Sequence, residues 1–175
     1  MCTLFPSDLL KEAEALLADL QQRSLRLVTA ESCTGGLLAG LLTEIPGASA
    51  TLERGLVTYS NAAKTSLLGV DAQLIERVGA VSEEVARAMA EGALTAAPVD
   101  LAVAITGIAG PDGGSPEKPV GLVHLAVAMK GKSTQARACR FGNIGRTEIR
   151  LASLRQSLVL MHQALTSAAV DRTLK

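Results

Sequence analysis

Three polar residues that could take part in chemistry stand at or soon after the points where short apolar segments of the chain end. They are Ser32 in ESCTGG, Lys64 in YSNAAK and Thr106 in ITGIAG. A serine hydroxyl attacks a carbonyl carbon when a neighbouring base removes its proton, and a neutral lysine amine can be that base. The residue types therefore predict a Ser32–Lys64 pair, provided that the fold brings these segments together.

Ser32 lies at a predicted strand-to-helix turn, where free backbone N–H groups point outward. Gly35 and Gly36 would let a ligand approach that backbone closely. Alternatively, Ser32 or Thr34 simply caps the following helix. A capping box would place Glu or Gln three residues after the cap, and Gly35 and Leu37 occupy those positions. The cap interpretation is weakened by this, and both interpretations stay open.

Cys33 is a rival nucleophile, because a helix N-terminus lowers the pKa of a thiol. Serine and cysteine nucleophiles commonly work with a histidine, and the chain has two. His124 lies in an alternating apolar segment, which predicts a packed core position. His162 lies in the last predicted helix, on its surface. Neither belongs to a motif, so a histidine-based triad is disfavoured.

Lys64 follows Ser60 by one turn, near the start of a predicted helix. The helix dipole and partial burial both disfavour an ammonium ion and lower the pKa of such a lysine. A neutral amine could then accept the Ser32 proton. The competing interpretation is a solvated surface lysine, which spacing alone favours.

The loop GIAGPDGGSPEKPVG, residues 107–121, is the second unusual segment. Its five glycines and three prolines in fifteen positions are typical of a shaped, semi-rigid loop. The spacing matches neither the dinucleotide fingerprint nor the P-loop. Its N–H groups, for example at Gly107 and Gly110, could hold a phosphate together with Lys118. Alternatively, the loop is only a crossover between strands.

Arginines near the last predicted helix could add to a phosphate site. They are Arg140, Arg146 and Arg150. Arg146 and Arg150 are four residues apart, on one helical face, where they could clamp a phosphate. Surface arginines on a terminal helix are common, and this is the competing interpretation.

Hydrophobic periodicity predicts helices and strands that alternate along the chain. The predicted helices are 9–20 with Ser7 as N-cap, 37–45, 61–68 with Ser60 as N-cap, one from Ser82 to just before Pro98, and 146–169. The predicted strands are 25–29, 55–59, 101–106, 120–129 and 133–140, the last two joined by a turn at 130–132.

This order predicts one domain spanning residues 1–175, a three-layer α/β/α sandwich with a mixed, mainly parallel sheet. Ligands of open α/β sheets bind at the carboxyl ends of the strands. Parallel strands would bring Ser32, Tyr59 with Lys64, and Thr106 to one rim. That convergence is the strongest argument from the residues themselves for a site.

Composition excludes several function classes. Seventeen basic and seventeen acidic residues leave a net charge of +0, so no overall field attracts nucleic acid or an anionic membrane. With no Trp, one Tyr and two Phe, aromatic platforms for base stacking are not expected. We therefore expect a small-molecule ligand and no nucleic-acid or membrane partner. Helices rich in Ala and Leu favour a homo-oligomer.

Cysteine usage and the N-terminal residues indicate the compartment. Cys2, Cys33 and Cys139 are too far apart for a zinc site or a disulfide framework. A signal-peptide pattern is missing, and no apolar run approaches the roughly 18 residues of a membrane span. We expect a cytoplasmic protein with no metal and no cofactor.

Four long motifs, in order, resemble the C-terminal domain of the CinA family. They are ESCTGGLLAGLLTEIPGAS, GLVTYSNAAKTSLLGV, GAVSEEVARAMAEGA and AVAITGIAGPDGGSPEKPVGLV. The resemblance covers roughly residues 9–165. Within the family, the chain resembles the stand-alone members, which look like bacterial nicotinamide mononucleotide amidases of the PncC type.

The resemblance implies hydrolysis of nicotinamide mononucleotide to nicotinate mononucleotide and ammonia. Ser32, Lys64 and Thr106 match the family's catalytic serine, lysine and threonine, and Tyr59 matches its tyrosine. Thr106 would orient the lysine or the attacking water. In the implied mechanism the N–H groups of residues 33–36 stabilise the oxyanion, and loop N–H groups with Lys118 or Arg146 hold the phosphate.

One departure from the family pattern precedes the last predicted helix. Members often carry Gly-Asp-Arg or Gly-Asn-Arg there, whereas this chain reads FGNIGR over residues 141–146. Arg146 matches the arginine, and Gly145 replaces the acidic or amide residue beside it. The rim of the substrate site is therefore expected to differ.

A second hypothesis belongs to another functional class. The chain would be a non-catalytic nucleotide- or partner-binding module of the same competence/damage-inducible family, because a fold does not fix an activity. Retention of Ser32, Lys64 and Thr106 favours the enzyme. Ammonia release from nicotinamide mononucleotide discriminates between the two.

Overall fold

The computed structural model describes residues 4–173, with side chains described to residue 167. In this part of the chain, helices alternate with the strands of one five-stranded sheet. The strands are β1 (Leu27–Glu31), β2 (Leu52–Val57), β3 (Leu101–Gly107), β4 (Leu122–Met129) and β5 (Gln135–Arg140). The helices are α1 (Ser7–Gln22), α2 (Leu37–Thr43), α3 (Asn61–Leu68), α4 (Ala72–Val78), α5 (Glu83–Ala96) and α6 (Arg146–Thr173), with a 3-10 turn at Ala48–Ala50.

The sheet has the strand order β2-β1-β3-β4-β5. β1 pairs in parallel with both β2 and β3, whereas β4 is antiparallel to β3 and to β5. All strands except β4 therefore point the same way, which confirms the predicted mixed sheet. The carboxyl ends of β1, β2 and β3 meet at one edge.

The two faces of β3 show how the layers form. Leu101, Val103 and Ile105 belong to the core that contains the apolar faces of α1, α2 and α6. Ala102 and Ala104 belong to the core that contains α5. Because side chains alternate between the faces of a strand, the small alanines let α5 lie close to the sheet. The three-layer sandwich is confirmed.

α5 also positions α3, the helix that carries Lys64. Gly92 of α5 lies against the last turn of α3, and a Cβ added there would be 1.8 Å from Leu68 O. A glycine inside a helix costs about 1 kcal/mol relative to alanine, and this close approach explains why it is tolerated.

The N-cap of the first helix and the bounds of the first strand are displaced by one or two residues from their predicted positions. Pro6, not Ser7, is the N-cap of α1, and no side chain caps that end. β1 spans Leu27–Glu31 instead of 25–29, because Leu25 N donates to Leu20 O and closes the turn after α1. Glu31 is consequently a strand residue, and the turn begins at Ser32.

β2 and α4 were also predicted imperfectly. β2 spans Leu52–Val57 instead of 55–59, because charged Glu53 and Arg54 interrupt the apolar pattern of this edge strand. α4 was not predicted, since its seven residues are too few to show a period. Smaller differences affect the ends of α2 and α6 and the starts of β4 and β5.

Candidate active site

Ser32 directly follows β1, at the edge where the parallel strands end. Its N–H donates to Ile105 O of β3 at 2.9 Å and extends the pairing of the two strands by one residue. The residue is 8% exposed, so its hydroxyl is part of a wall instead of a free surface. The N-cap of α2 is Gly36, without a side-chain cap, and Thr34 Oγ1 is buried without a partner. Helix capping therefore does not explain either hydroxyl.

Glu31 anchors the turn that carries Ser32, and sequence reasoning missed it. The side chain is fully buried. Its carboxylate accepts hydrogen bonds from the N–H groups of Gly36 at 3.1 Å, Leu38 at 3.0 Å and Ala39 at 2.9 Å. A carboxylate at a helix N-terminus satisfies orphan donors and complements the dipole. The available signal was an acidic residue shortly before a helix that lacks a capping side chain.

Lys64 lies one turn into α3, whose N-cap Ser60 accepts from Ala63 N at 3.0 Å. Although it is a lysine, the residue is only 1% exposed. Its Nζ lies 3.0 Å from Ser32 Oγ, 2.9 Å from Thr58 O and 3.5 Å from Tyr59 O. The interpretation of Lys64 as a solvated surface lysine is therefore wrong.

Burial disfavours the charged form of Lys64. Burial lowers the pKa of this lysine from its ordinary value of 10.5. Within the described residues no carboxylate contacts its Nζ to offset that effect. A neutral amine has two N–H donors and one lone pair. With the carbonyls of Thr58 and Tyr59 as acceptors, the lone pair is free to receive the Ser32 proton.

Thr106 ends the apolar part of β3 and is 1% exposed. Its hydroxyl donates to Ala80 O at 2.8 Å, in the connection between α4 and α5. The protein partners of Lys64 Nζ are Ser32 and two carbonyls, so Thr106 does not orient the lysine in this structure. Since the hydroxyl proton is engaged, the oxygen faces the pocket only as an acceptor.

These residues share a pocket of about 270 Å³. The predicted site residues that line it are Ser32, Cys33, Tyr59, Lys64, Thr106, Gly107, Gly110 and Arg146. The lining residues that were not predicted are Asn61, Ala80, Val81, Ile108, Ala109, Asp112 and Gly113. The strand-end argument thus located the pocket, and four of these residues belong to the Gly- and Pro-rich loop 107–121 that the sequence indicated, whereas Ala80 and Val81 of the α4–α5 connection had no sequence signature.

Fewer N–H groups of residues 33–36 are available as oxyanion donors in the structure than the sequence predicted. Gly35 N donates to Ser32 O at 3.0 Å, and Gly36 N donates to the Glu31 carboxylate. Neither glycine lines the pocket, nor does Thr34. Cys33 does line it, and its N–H donates to no other residue in the described part of the chain. Cys33 N–H is therefore the donor of this turn that is available to a ligand.

Lys118 lies outside the pocket. Its ammonium donates to Val78 O at 2.6 Å and to Val81 O at 2.8 Å, which joins the Gly-rich loop to the α4–α5 connection. A cation at the carboxyl end of α4 is favourable for the helix dipole. This side chain therefore does not make the predicted contact with a phosphate here. It is long enough to place its charge at these carbonyls, across the loop.

Arg146 reaches the pocket mouth from the start of α6. It donates to Gly110 O at 2.7 Å, and its other terminal nitrogen lies 3.5 Å from the Tyr59 hydroxyl. Gly145 precedes it with φ +95°, and Gly145 O accepts from Ile149 N at 2.9 Å. A glycine suits this left-handed conformation.

The rival nucleophile, Cys33, and the two histidines contribute less to the site. Burial raises the pKa of the Cys33 thiol to about 11, opposite to the lowering expected at a helix N-terminus. His124 is half-buried in β4, opposite Thr106, where burial lowers its pKa. Neither His124 nor His162 lines the pocket.

Two kinds of feature are missing from residues 4–173. No group of three or more His, Cys, Asp or Glu side chains there could hold a metal ion. In the same residues, no helix combines the length and the apolarity that a membrane crossing requires.

Similar proteins of known sequence carry CinA names. The chain is 58% identical over 141 residues to a CinA-like protein of Mycolicibacterium vanbaalenii, which covers 80% of this chain and 33% of that protein. It is 53% identical over 153 residues to a CinA-like protein of Anaeromyxobacter dehalogenans, which covers 87% and 37% respectively. The chain therefore spans about a third of the length of the curated relatives that it matches.

Solved structures show the same fold. The competence/damage inducible protein CihA from Agrobacterium tumefaciens matches with a TM-score of 0.91 and 51% identity over 94% of this chain and 99% of that one. A CinA superfamily protein from Escherichia coli matches with a TM-score of 0.85 and 36% identity over 93% and 94%. The model of the CinA C-terminal domain matches residues 10–165. The chain belongs to the CinA C-terminal domain family.

Proposed function

We propose that this protein is a nicotinamide mononucleotide amidase that forms nicotinate mononucleotide and ammonia. The observation that carries the catalytic part is the buried Lys64 amine, 3.0 Å from Ser32 Oγ. The identity of the substrate rests on the family resemblance of the motifs. The names of the relatives state no reaction.

The first half of the reaction acylates Ser32. Neutral Lys64 takes the hydroxyl proton while Ser32 Oγ attacks the carboxamide carbon, and the carbonyl oxygen becomes an oxyanion. Cys33 lines the pocket, and its N–H is the donor of the turn that we assign to the oxyanion. One such donor typically contributes about 3 kcal/mol to the transition state.

Collapse of the tetrahedral intermediate breaks the C–N bond. The Lys64 ammonium gives its proton to the leaving nitrogen, ammonia departs, and an ester to Ser32 remains. Lys64, neutral again, takes a proton from a water molecule that attacks the ester. The same proton then returns to Ser32 Oγ, and the carboxylic acid that is formed loses its own proton to solvent as the product leaves.

Thr106 supports a preference for the amide over the product. Because its hydroxyl proton is donated to Ala80 O, its oxygen offers only lone pairs to a ligand. The NH₂ group of a carboxamide can donate to these lone pairs. A product carboxylate has only acceptor oxygens, so the lone pairs repel it. We infer that Thr106 aligns the leaving amide nitrogen and weakens product binding.

Two side chains at the pocket mouth fit the rest of a pyridine nucleotide. Tyr59 is 62% exposed at the rim, where its ring can lie against a cationic pyridinium. The Arg146 guanidinium, beside the Tyr59 hydroxyl, can contact the phosphate. These assignments replace the phosphate role predicted for Lys118.

Ammonia release tests the proposal most directly. The purified chain, incubated with nicotinamide mononucleotide, should release one ammonia for each nicotinate mononucleotide formed. Ser32→Ala should release none while it still binds the substrate in calorimetry. Binding by the unaltered chain without any release would contradict the proposal and favour the non-catalytic module.

A further inference from the structure

Arg150 of α6 contacts the back of the turn that carries Ser32. Its Nη2 donates to Thr34 O at 2.9 Å, and its Nε is buried without a partner in the described residues. A Cβ added to Gly35 would lie 3.6 Å from the same Nη2, so the guanidinium packs directly on the turn. Arg150 does not line the pocket, although Arg146 one turn earlier does.

Two peptide groups connect this cation to the pocket. Thr34 O, which accepts from Arg150, and the Gly35 N–H belong to one peptide unit. Gly35 N–H donates to Ser32 O at 3.0 Å. Ser32 O and the Cys33 N–H belong to the next peptide unit. The chain of hydrogen bonds therefore starts at the half-buried guanidinium of Arg150 and ends at the Cys33 N–H, which has no acceptor in another described residue.

Such a chain changes the strength of its last donor. When a cation donates to a carbonyl oxygen, the N–H of that peptide unit becomes a better donor, and consecutive bonds polarise one another by perhaps 10–30% each. Ser32, Cys33 and Thr34 of the turn are buried, and the low local dielectric there adds to the effect. At the Cys33 thiol, burial dominates and raises the pKa, and the charge of Arg150 is one of the influences that oppose this rise.

We propose that Arg150 is a positioning residue that polarises the Cys33 N–H through the Thr34–Gly35 and Ser32–Cys33 peptide units and thereby strengthens the oxyanion site. The kinetic part of this proposal rests on the proposed amidase function, but the polarisation itself does not. It assigns Arg150 a role distinct from that of a phosphate clamp. Its effect should be larger in the transition state, where the oxyanion carries full charge, than in the bound substrate.

Amide NMR tests the polarisation without any substrate. In the ¹⁵N-labelled full chain, Arg150→Gln should move the amide protons of Cys33 and Gly35 upfield, and Arg150→Lys should leave them near their original positions. Arg155→Gln is a matched control on the same helix, because Arg155 pairs with Asp8 far from the turn. Unchanged Cys33 and Gly35 shifts in a folded Arg150→Gln protein would overturn the proposal.

Kinetics separate polarisation from a purely structural clamp. Loss of a whole oxyanion donor costs 10²–10³-fold in kcat, so a weakened donor should cost about tenfold in Arg150→Gln, with KM changed less than about twofold. Arg150→Lys should recover most of kcat. Millimolar guanidinium should partly restore Arg150→Ala, and urea, its neutral analogue, should not.

The outcomes remain distinguishable if a variant or the amidase function fails. Should Arg150→Gln not fold, Arg150→Lys decides: a loss of more than about 30-fold in kcat with intact folding would overturn the proposal, because the charge is retained there. Equal rescue by urea and guanidinium would also overturn it. If the unaltered chain releases no ammonia, the proposed function fails, and the amide shifts still decide the role of Arg150.

Discussion

Ser32 Oγ and Lys64 Nζ lie 3.0 Å apart, although 32 positions separate the residues in the chain. The contact depends on the parallel pairing of β1 with β2, which places the end of β1 beside the start of α3. Thr58 N donates to Glu31 O at 2.8 Å and extends that pairing past the end of β2. Backbone pairing therefore holds Ser32 and the two carbonyls that accept from Lys64, those of Thr58 and Tyr59, in a fixed arrangement.

Removal of either member of the pair should abolish turnover. Ser32→Ala lacks the nucleophile and Lys64→Met lacks the base, so each should lower kcat by at least about 10³-fold. Because the residues act as one unit, the double variant should be no slower than either single variant. Ammonia release and circular dichroism together check this.

The control for this prediction is Lys130→Met, which removes an exposed lysine paired with Asp100. It should retain full activity. Near-normal turnover by Ser32→Ala would assign the nucleophile elsewhere. A strictly additive loss in the double variant would contradict action as a pair.

The rate should depend on pH through Lys64. Burial lowers the pKa of this amine from 10.5, and only the neutral form accepts a proton. Accordingly, kcat/KM should rise with pH through a midpoint clearly below 10.5 and level off above that midpoint. A pH profile of ammonia release measures this, and a flat profile or a midpoint at the ordinary lysine value would contradict it.

The same shift has a consequence for stability. The unfolded chain binds the lysine proton more readily than the folded one, so the free energy of unfolding should increase with pH between the lowered pKa and 10.5. Lys64→Met should lose this increase in urea unfolding measured across that range.

Cys33→Ala should leave activity nearly unchanged. The pKa of about 11 keeps the thiol protonated at neutral pH, and the group proposed to bind the oxyanion is the backbone N–H, which alanine retains. We expect kcat within about threefold of the original value, because only packing is altered. A loss beyond about 100-fold in a folded variant would indicate that the sulfur takes part in the reaction.

Glu31→Gln should destabilise the fold and slow the reaction. The substitution replaces a carboxylate that accepts from three N–H groups of the α2 turn, and hydrogen bonds to a charged group each contribute about 1.5–3 kcal/mol. We expect a loss of about 2 kcal/mol or more in the free energy of unfolding, since one amide group cannot replace all these acceptors. Glu44→Gln, at an exposed position after α2, is the control and should change neither quantity.

Strand periodicity explains how much of this site could be predicted. Ser32 directly follows β1 and Thr106 lies near the end of β3, and parallel pairing brings strand ends together whatever the loops do. Glu31 was missed because the predicted strand ended two residues too early. Had the strand been extended to Glu31, its carboxylate would have stood at the start of a helix without a cap.

Lys118 shows the limit of such reasoning. Its place in a Gly- and Pro-rich loop indicated an anion site, but the long lysine side chain places its charge well away from its backbone, and loop sequence does not specify the direction. Only the folded loop reveals that the carbonyls of Val78 and Val81 accept its protons. Gly35 and Gly36 failed as oxyanion donors for the same reason, because their N–H groups found internal acceptors.

Thr106→Val should alter the balance between substrate and product. Valine lacks both the donor to Ala80 O and the acceptor that faces the pocket, so kcat/KM should fall by about 10–100-fold, which corresponds to one buried hydrogen bond left unmade. Because the repelling lone pairs are also removed, inhibition by nicotinate mononucleotide should strengthen relative to KM. Thr106→Ser should restore both values, and Thr95→Val, at an exposed position in α5, is the matched control. If Thr106→Val binds the product more weakly than the original chain, the carboxylate is not repelled by Thr106, and the threonine serves only to hold the Ala80 wall.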